Sequence, residues 1–258
     1  MSDRFAFGRN WLRYFDHFLD EKGKTDAARI DVAMRSLAEK LPTLPGKRFL
    51  DIGCGSGLMS LAAQRLGATV HSFDYDPHSV KCTQLMRGSY GQEKDWTIER
   101  GSVLSREFLK RLGEFDVVYS WGVLHHTGDL WRACNYVIPN VKPGGLLWIA
   151  IYNDQGWRSR YWRLVKRLYN HDPSLKGLMV FLHLPLLLAR YAVRAVTGRL
   201  NIERGMSLWF DYNDWLGGYP FEVATHDKVV SFYTHSGFTL RSSTRATSGC
   251  NEFVFERI

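Results

Sequence analysis

Cysteine is sparse in this sequence. Cys54, Cys82, Cys134 and Cys250 are the only four, and no two of them form a C-x-x-C pair. That scatter excludes a disulfide framework, gives no zinc-type ligand spacing, and fits a reducing compartment; no metal is expected. Long apolar runs are missing too. The longest, Leu178–Ala189, falls short of the roughly twenty residues a membrane-spanning helix needs, and Pro185 is expected to kink it. Met1-Ser2-Asp3-Arg4 leads into no apolar signal core, so the expectation is a cytoplasmic protein without export.

What is present is ordinary in bulk and uneven in placement. With 258 residues, 45% hydrophobic and 23% charged, the chain can bury one large core, or one domain with an elaborated cap. The net charge is +8, and residues 156–204 carry ten Lys/Arg against Asp172 and Glu203. The remaining chain is therefore balanced, and the whole excess sits in one segment.

The chain is organised around Arg48-Phe49-Leu50-Asp51-Ile52-Gly53-Cys54-Gly55-Ser56-Gly57. A short apolar run breaks into three alternating glycines, and Leu58–Leu66 follows with helical spacing. Strand, glycine turn and helix let a backbone approach a ligand closely, and the helix start favours a negative group. Ser60 stands where a dinucleotide fingerprint would place its last glycine. A second strand, 69–73, ends in Asp74, where a carboxylate can accept both ribose hydroxyls of an adenosine group. Capping the next helix, begun by Pro77, suits Asp76 better than Asp74.

Two amphipathic helices precede this unit, one with Trp11, Leu12, Phe15, Phe18 and Leu19 on a face, the other with Ile30, Met34, Leu37, Ala38 and Leu41. Either they pack on the sheet, or Trp11, Tyr14 and Phe15 form a lid over the ligand. From Lys47 strands and helices alternate: strands at 48–52, 69–73, 96–99, 115–120 and 146–151, with helices near 57–66, 77–90, 104–112 and 129–140. Near-continuous apolar strands separated by helices predict an α/β, Rossmann-like parallel sheet with helices on both faces. After Ile151 the pattern lapses and resumes near Asp227 with a helix and two strands, 238–240 and 252–256, close enough to end the sheet as an antiparallel hairpin. The expected organisation is one domain: N-terminal helices (1–46), a cofactor half (47–155), a helical cap insertion (156–220), and a last helix with the hairpin (221–258).

These residues resemble the class I S-adenosylmethionine-dependent methyltransferases. Leu50–Gly57 is similar to the family's first motif, Asp74 to its ribose-binding acid, Phe115–Ser120 with Val123-Leu124-His125-His126 to its fourth-strand motif, and Val141–Leu147 to its turn into strand five. The likeness covers roughly 47–152 plus the final hairpin. It is nearest the branch containing ubiquinone-type O-methyltransferases, which says little about the acceptor. It departs at Gly101-Ser102-Val103, where Gly-Asp is common. The resemblance implies S-adenosylmethionine as cofactor and S-adenosylhomocysteine as product. It implies cofactor contacts at Asp51, Gly53, Cys54, Gly55, Gly57, Asp74, Tyr75 (over the adenine), Ser102 or Val103 (on the base), and the Ser120 carbonyl (on the cofactor ammonium).

Methyl transfer needs alignment and exclusion of water, and an oxygen acceptor usually needs a base. His125 and His126 are the catalytic candidates, although neighbours in sequence cannot both face one pocket. Tyr14, Tyr152, Asn153, Asp211, Trp215 and Tyr219 are candidates for acceptor contact; the aromatic-rich 209–222 stretch is either an acceptor wall or a packed connector. Residues 156–204 form either a cap whose basic face is solvated or an element docking on anionic membrane at the inner face. The reading is hydroxyl methylation of a small or amphiphilic acceptor. N-methylation of a metabolite, and a nucleic-acid methyltransferase using the basic insertion, are the alternatives. Against the latter stand the lack of an Asn/Asp-Pro-Pro-Tyr/Phe motif and of an appended nucleic-acid module. A non-catalytic cofactor-binding subunit and an NAD enzyme are the remaining rivals; the oligomeric state is left open.

Overall fold

The structure, a computed structural model, describes residues 5, 7–19, 24–41, 43–196 and 215–258. Its centre is a seven-stranded sheet in the order β3-β2-β1-β4-β5-β7-β6. The first five strands are parallel: β1 (Arg48–Ile52), β2 (Thr69–Asp74), β3 (Trp96–Arg100), β4 (Phe115–Trp121) and β5 (Val141–Tyr152). The last two, β6 (Phe238–Thr244) and β7 (Cys250–Arg257), form an antiparallel hairpin, with β7 inserted between β5 and β6. The strand order reverses between β1 and β4, so their carboxyl ends flank a crevice of the kind that binds ligands in open α/β sheets.

Side-chain alternation divides the core into two layers. On one face Leu50, Ile52, Val118, Leu147, Ile149 and Phe253 pack under α5 (Arg106–Leu112), α6 (Leu130–Val137) and α9 (His226–His235). On the other, Phe49, Val117, Tyr119, Trp148 and Val254 meet α2 (Lys24–Lys40), α3 (Leu58–Arg65) and α4 (Pro77–Tyr90), with Phe15 of α1 (Phe7–Leu19). Local chemistry sets the helix starts. Side chains of Asp76, Ser105, Asp129 and Thr225 each accept a backbone N–H of the first turn. The cap of α4 is thus Asp76, and Asp74 is left to the crevice.

The insertion is a helical pair, α7 (Trp157–His171) and α8 (Lys176–Val196); α8 continues through Pro185. Among the described residues a small apolar cluster packs it down: Val165, Tyr169 and Leu216, with Trp162, Met179, Val180 and Trp215 against them. The helical spacing of Trp157, Tyr161, Leu164, Val165 and Leu168 gives α7 an apolar stripe, and most of it points away from the core. Trp157, Tyr161, Leu164 and Leu168 are exposed, and of the stripe only Val165 is buried. Lys166, expected on the basic solvated face, is instead buried, its ammonium donating to the Trp215 carbonyl. No described helix is long and apolar enough to cross a membrane.

Candidate cofactor and acceptor site

A cavity of about 850 Å³ opens over the carboxyl ends of β1, β2 and β4. Its floor is the glycine turn. Gly53 and Gly55 adopt positive φ (76° and 54°), and a Cβ on Gly53 would sit 2.5 Å from Val123 while one on Gly55 would press the Trp11 indole. The turn is pinned beneath by Gly53 and Cys54 N–H groups donating to the Phe73 carbonyl.

Two carboxylates frame it, Asp51 buried and Asp74 half-buried. Asp74 accepts from Gly55 N (3.1 Å) and Asp76 N (2.9 Å), and burial lifts its pKa to about 6 despite those bonds. Asp51 ends a directional chain. The Trp96 indole can only donate, to Ser72 Oγ at 2.7 Å; Ser72 then donates to Ser60 Oγ at 2.6 Å, and Ser60 to Asp51 Oδ2 at 2.5 Å. Burial, with the Asp74 charge adding, raises Asp51 to about 7 against the pull of the Ser60 bond. Ser60, in place of a fingerprint glycine, is what reaches this carboxylate.

The N-terminal helix lies over the turn. Gly8 N donates to Asp76 Oδ2 at 2.9 Å, the Cys82 thiol donates to the Trp11 carbonyl at 3.3 Å, and Phe7 and Trp11 line the cavity. The Tyr14 side chain and all of Asp211 lie outside the described residues.

The two histidines divide. His125 is fully buried and does not line the cavity; its Nδ1 accepts the Tyr152 backbone N–H at 3.2 Å, so the proton of the neutral ring is on Nε2. His126 lines the cavity. Its Nδ1 sits 2.7 Å from the Pro220 carbonyl, which can only accept, so Nδ1 carries the proton and Nε2 keeps a lone pair. Burial pushes its pKa down to about 3, holding the ring neutral.

Of the other expected contacts, Asp51, Gly53, Cys54, Gly55, Asp74, Tyr75, Ser102 and Val103 line the cavity, as do Tyr152, Trp215 and Tyr219. Gly57, Ser120 and Asn153 do not. Gly57 is the left-handed residue before α3, Ser120 Oγ donates to the Ile52 carbonyl, and the Asn153 amide holds Ala246 and Asn251. Sequence reasoning passed over Trp121 and Trp148 of the sheet and Ser36 and Lys40 of α2, which also line it. Among the described residues no group of three or more His, Cys, Asp or Glu is placed to hold a metal. The glycine cradle, the Asp74 carboxylate beside it and the exposed Tyr75 ring fit an adenosine group carrying an amino acid tail.

The Methyltransferase domain family matches residues 26–191, well over half of the chain. Over 113 residues the sequence is 37% identical to a Ubiquinone biosynthesis O-methyltransferase of Xanthomonas campestris, covering 43% of this chain and 45% of that one. The chain therefore matches a little under half the length of such relatives. A solved magnesium protoporphyrin IX methyltransferase from Synechocystis, with bound SAH, superposes with a TM-score of 0.56 at 14% identity, over 97% of this chain and 94% of that one. The [4+2]-cyclase SpnF does so with 0.57 at 12% identity, over 88% and 80%. At these identities the likeness is one of fold, and the cyclase illustrates that this fold alone does not name a reaction.

Proposed function

The chain belongs to the Methyltransferase domain family, as a class I S-adenosylmethionine-dependent methyltransferase, and on that footing we propose that it methylates a hydroxyl of a small or amphiphilic acceptor. When bound, S-adenosylmethionine supplies a methyl group that its sulfonium makes electrophilic. The protein's part is to bind, align and keep water out. Gly53 and Gly55 admit the amino acid end to the backbone, Asp74 takes the ribose hydroxyls, and Tyr75 covers the base.

The observation that carries the hydroxyl reading is His126. Its tautomer is set by the Pro220 carbonyl, its ring is kept neutral, and it stands on the cavity wall beside Tyr152 (ring centroids 5.5 Å) and Phe7 (4.9 Å). An imidazole so held presents Nε2 to accept a hydrogen bond from the hydroxyl, and the negative charge developing on that oxygen raises the basicity that burial has lowered, so that the proton can pass to the ring. The name of the Xanthomonas relative agrees with this chemistry. The test is radiolabelled methyl transfer to methyl gallate and related catechols. His126→Gln is expected to lower kcat by roughly 10²–10⁴ while S-adenosylhomocysteine affinity stays unchanged. Retained kcat removes His126 as the base; amine acceptors methylated equally well by both proteins would favour N-methylation.

A second observation bears on where the enzyme works. The exposed apolar residues of α7 and α8 (Phe181 is 71% exposed, Trp157 66%) lie among exposed Arg158, Arg160, Arg163, Arg167 and Lys176. We infer peripheral docking of this pair on an anionic membrane surface, by apolar insertion with basic flanks. Co-sedimentation with phosphatidylglycerol but not phosphatidylcholine vesicles is expected; absence from both pellets makes the pair a cap only.

A further inference from the structure

The cofactor contacts proposed above occupy the ends of β1 to β4, yet the same cavity extends well past them, between α2 and the outer strands. The register explains the floor of this arm. Alternate residues of β4, β5 and β7 face α2, and the pairs Tyr119↔Trp148, Trp121↔Ala150, Ala150↔Glu252 and Tyr152↔Cys250 set them in rows. Ala150 lies between Trp121 and Glu252 in this register but is itself fully buried, so the cavity wall here is made by Trp121, Trp148 and Glu252. Val32, Ser36 and Lys40 of α2 face it from above. The arm begins at Tyr152, beside His126, and runs to Trp148, four strand residues away or about 13 Å.

Its far end is polar and closed by a single ion pair. Lys40 Nζ meets Glu252 Oε2 at 2.5 Å and sits 4.9 Å over the Trp148 ring, tying α2 to β7. Lys40, Glu252 and Glu39 also line a second cavity of about 730 Å³ on the outer strands, so this pair partitions the two spaces. The Trp148 indole N–H, buried at 2% exposure, has no hydrogen-bond partner among the described residues. A buried donor left unmet costs free energy that an acceptor atom on a ligand recovers.

We propose that this arm receives the body of the acceptor. The acceptor is then an elongated molecule whose reacting hydroxyl lies at His126, whose apolar or aromatic segment of about 13 Å lies over Trp121 and Trp148, and whose end reaches the Lys40–Glu252 pair. This rests on the hydroxyl-transfer reading for the position of the head, and the test separates the two. Octyl gallate and methyl gallate are titrated calorimetrically into the full chain saturated with S-adenosylhomocysteine. Octyl gallate is expected to bind at least about tenfold tighter, and Ser36→Trp, which fills the arm from α2, is expected to erase that preference with S-adenosylhomocysteine affinity intact. Val32→Trp, filling it from the preceding turn of α2, is read the same way, and alone if the first variant fails to fold. Equal binding of the two gallates, or a preference surviving in a folded variant, overturns the arm. A preference lost as expected, with neither gallate methylated, keeps the arm and sinks the hydroxyl reading.

Discussion

The crevice at the ends of β1 and β2 and the α7–α8 pair use their residues in opposite ways. In the crevice every polar group named is engaged: Asp74 with two backbone amides, Asp51 with a three-donor chain, the turn amides with Phe73. In the helical pair most of the large apolar side chains face outward, and the buried positions include a lysine beside Val165 and Tyr169. Burying one large apolar side chain is worth roughly 1.5–3 kcal/mol, so the pair forgoes stability that its composition could supply. The contrast is that the first region meets its polar groups within the chain, while the second leaves apolar surface uncovered, the surface that the proposed membrane docking would use.

The largest effect should come from the crevice. Asp74→Ala removes a charged acceptor for two ribose hydroxyls, each such bond being worth about 1.5–3 kcal/mol. Affinity for S-adenosylhomocysteine should fall more than about a hundredfold in a calorimetric titration. Unchanged affinity would remove the ribose from this site and, with it, one side of the comparison. The pH dependence is a finer probe. In the proposed binding mode the ribose donates to the ionised carboxylate, and Asp74 takes up its proton near pH 6 in the free protein. Affinity should therefore weaken as pH falls through about 6, and Asp74→Asn should lose that dependence.

A middle-sized effect is expected one layer down. Ser60→Ala cuts the chain between Ser72 and Asp51, leaving buried polar atoms unmet, and should cost about 1–3 kcal/mol in urea unfolding. Asp51 itself has a signed consequence. Its folded pKa of about 7 lies above the value of 3.8 it has when unfolded, so between those values the native state holds a proton the unfolded chain has lost. Its contribution is fully present below about pH 4 and is lost as pH rises towards 7. Asp51→Asn should flatten that decline relative to the parent; an identical slope would contradict the buried, proton-holding carboxylate.

What could be read from the sequence follows the same divide. The strand–glycine–helix unit, Asp74, the Asp76 cap and the closing hairpin are written in neighbouring residues, through period, turn chemistry and caps, and the sheet realises them. Glycine spacing marks backbone conformation and not contact, which is why Gly57 lies off the cavity wall. Adjacent histidines could be recognised as a pair, but which one faces inward depends on Pro220 and the Tyr152 amide, far along the chain. Lys40 and Glu252 meet only because β7 returns beside β5, so no local pattern announces the arm. Periodicity likewise shows that α7 has an apolar stripe; it carries no information on whether that stripe meets the core or the outside.

That last ambiguity supplies the smallest expected change in stability, and the sharpest test of the contrast. Phe181, Leu182 and Leu186 are 71%, 62% and 54% exposed. Their combined replacement by serine removes little that folding buries, and surface substitutions of this kind usually fall within about 0.5 kcal/mol each. Urea unfolding and S-adenosylhomocysteine affinity should therefore match the parent closely. Sedimentation with phosphatidylglycerol vesicles should be lost, because the inserted apolar area is gone while the arginines remain. A large loss of stability would show that these side chains are buried in solution, against one another or a second copy, and the two regions would then differ in degree only. Vesicle binding that survives would assign the membrane contact to the basic residues alone, and its collapse at high salt would confirm that assignment.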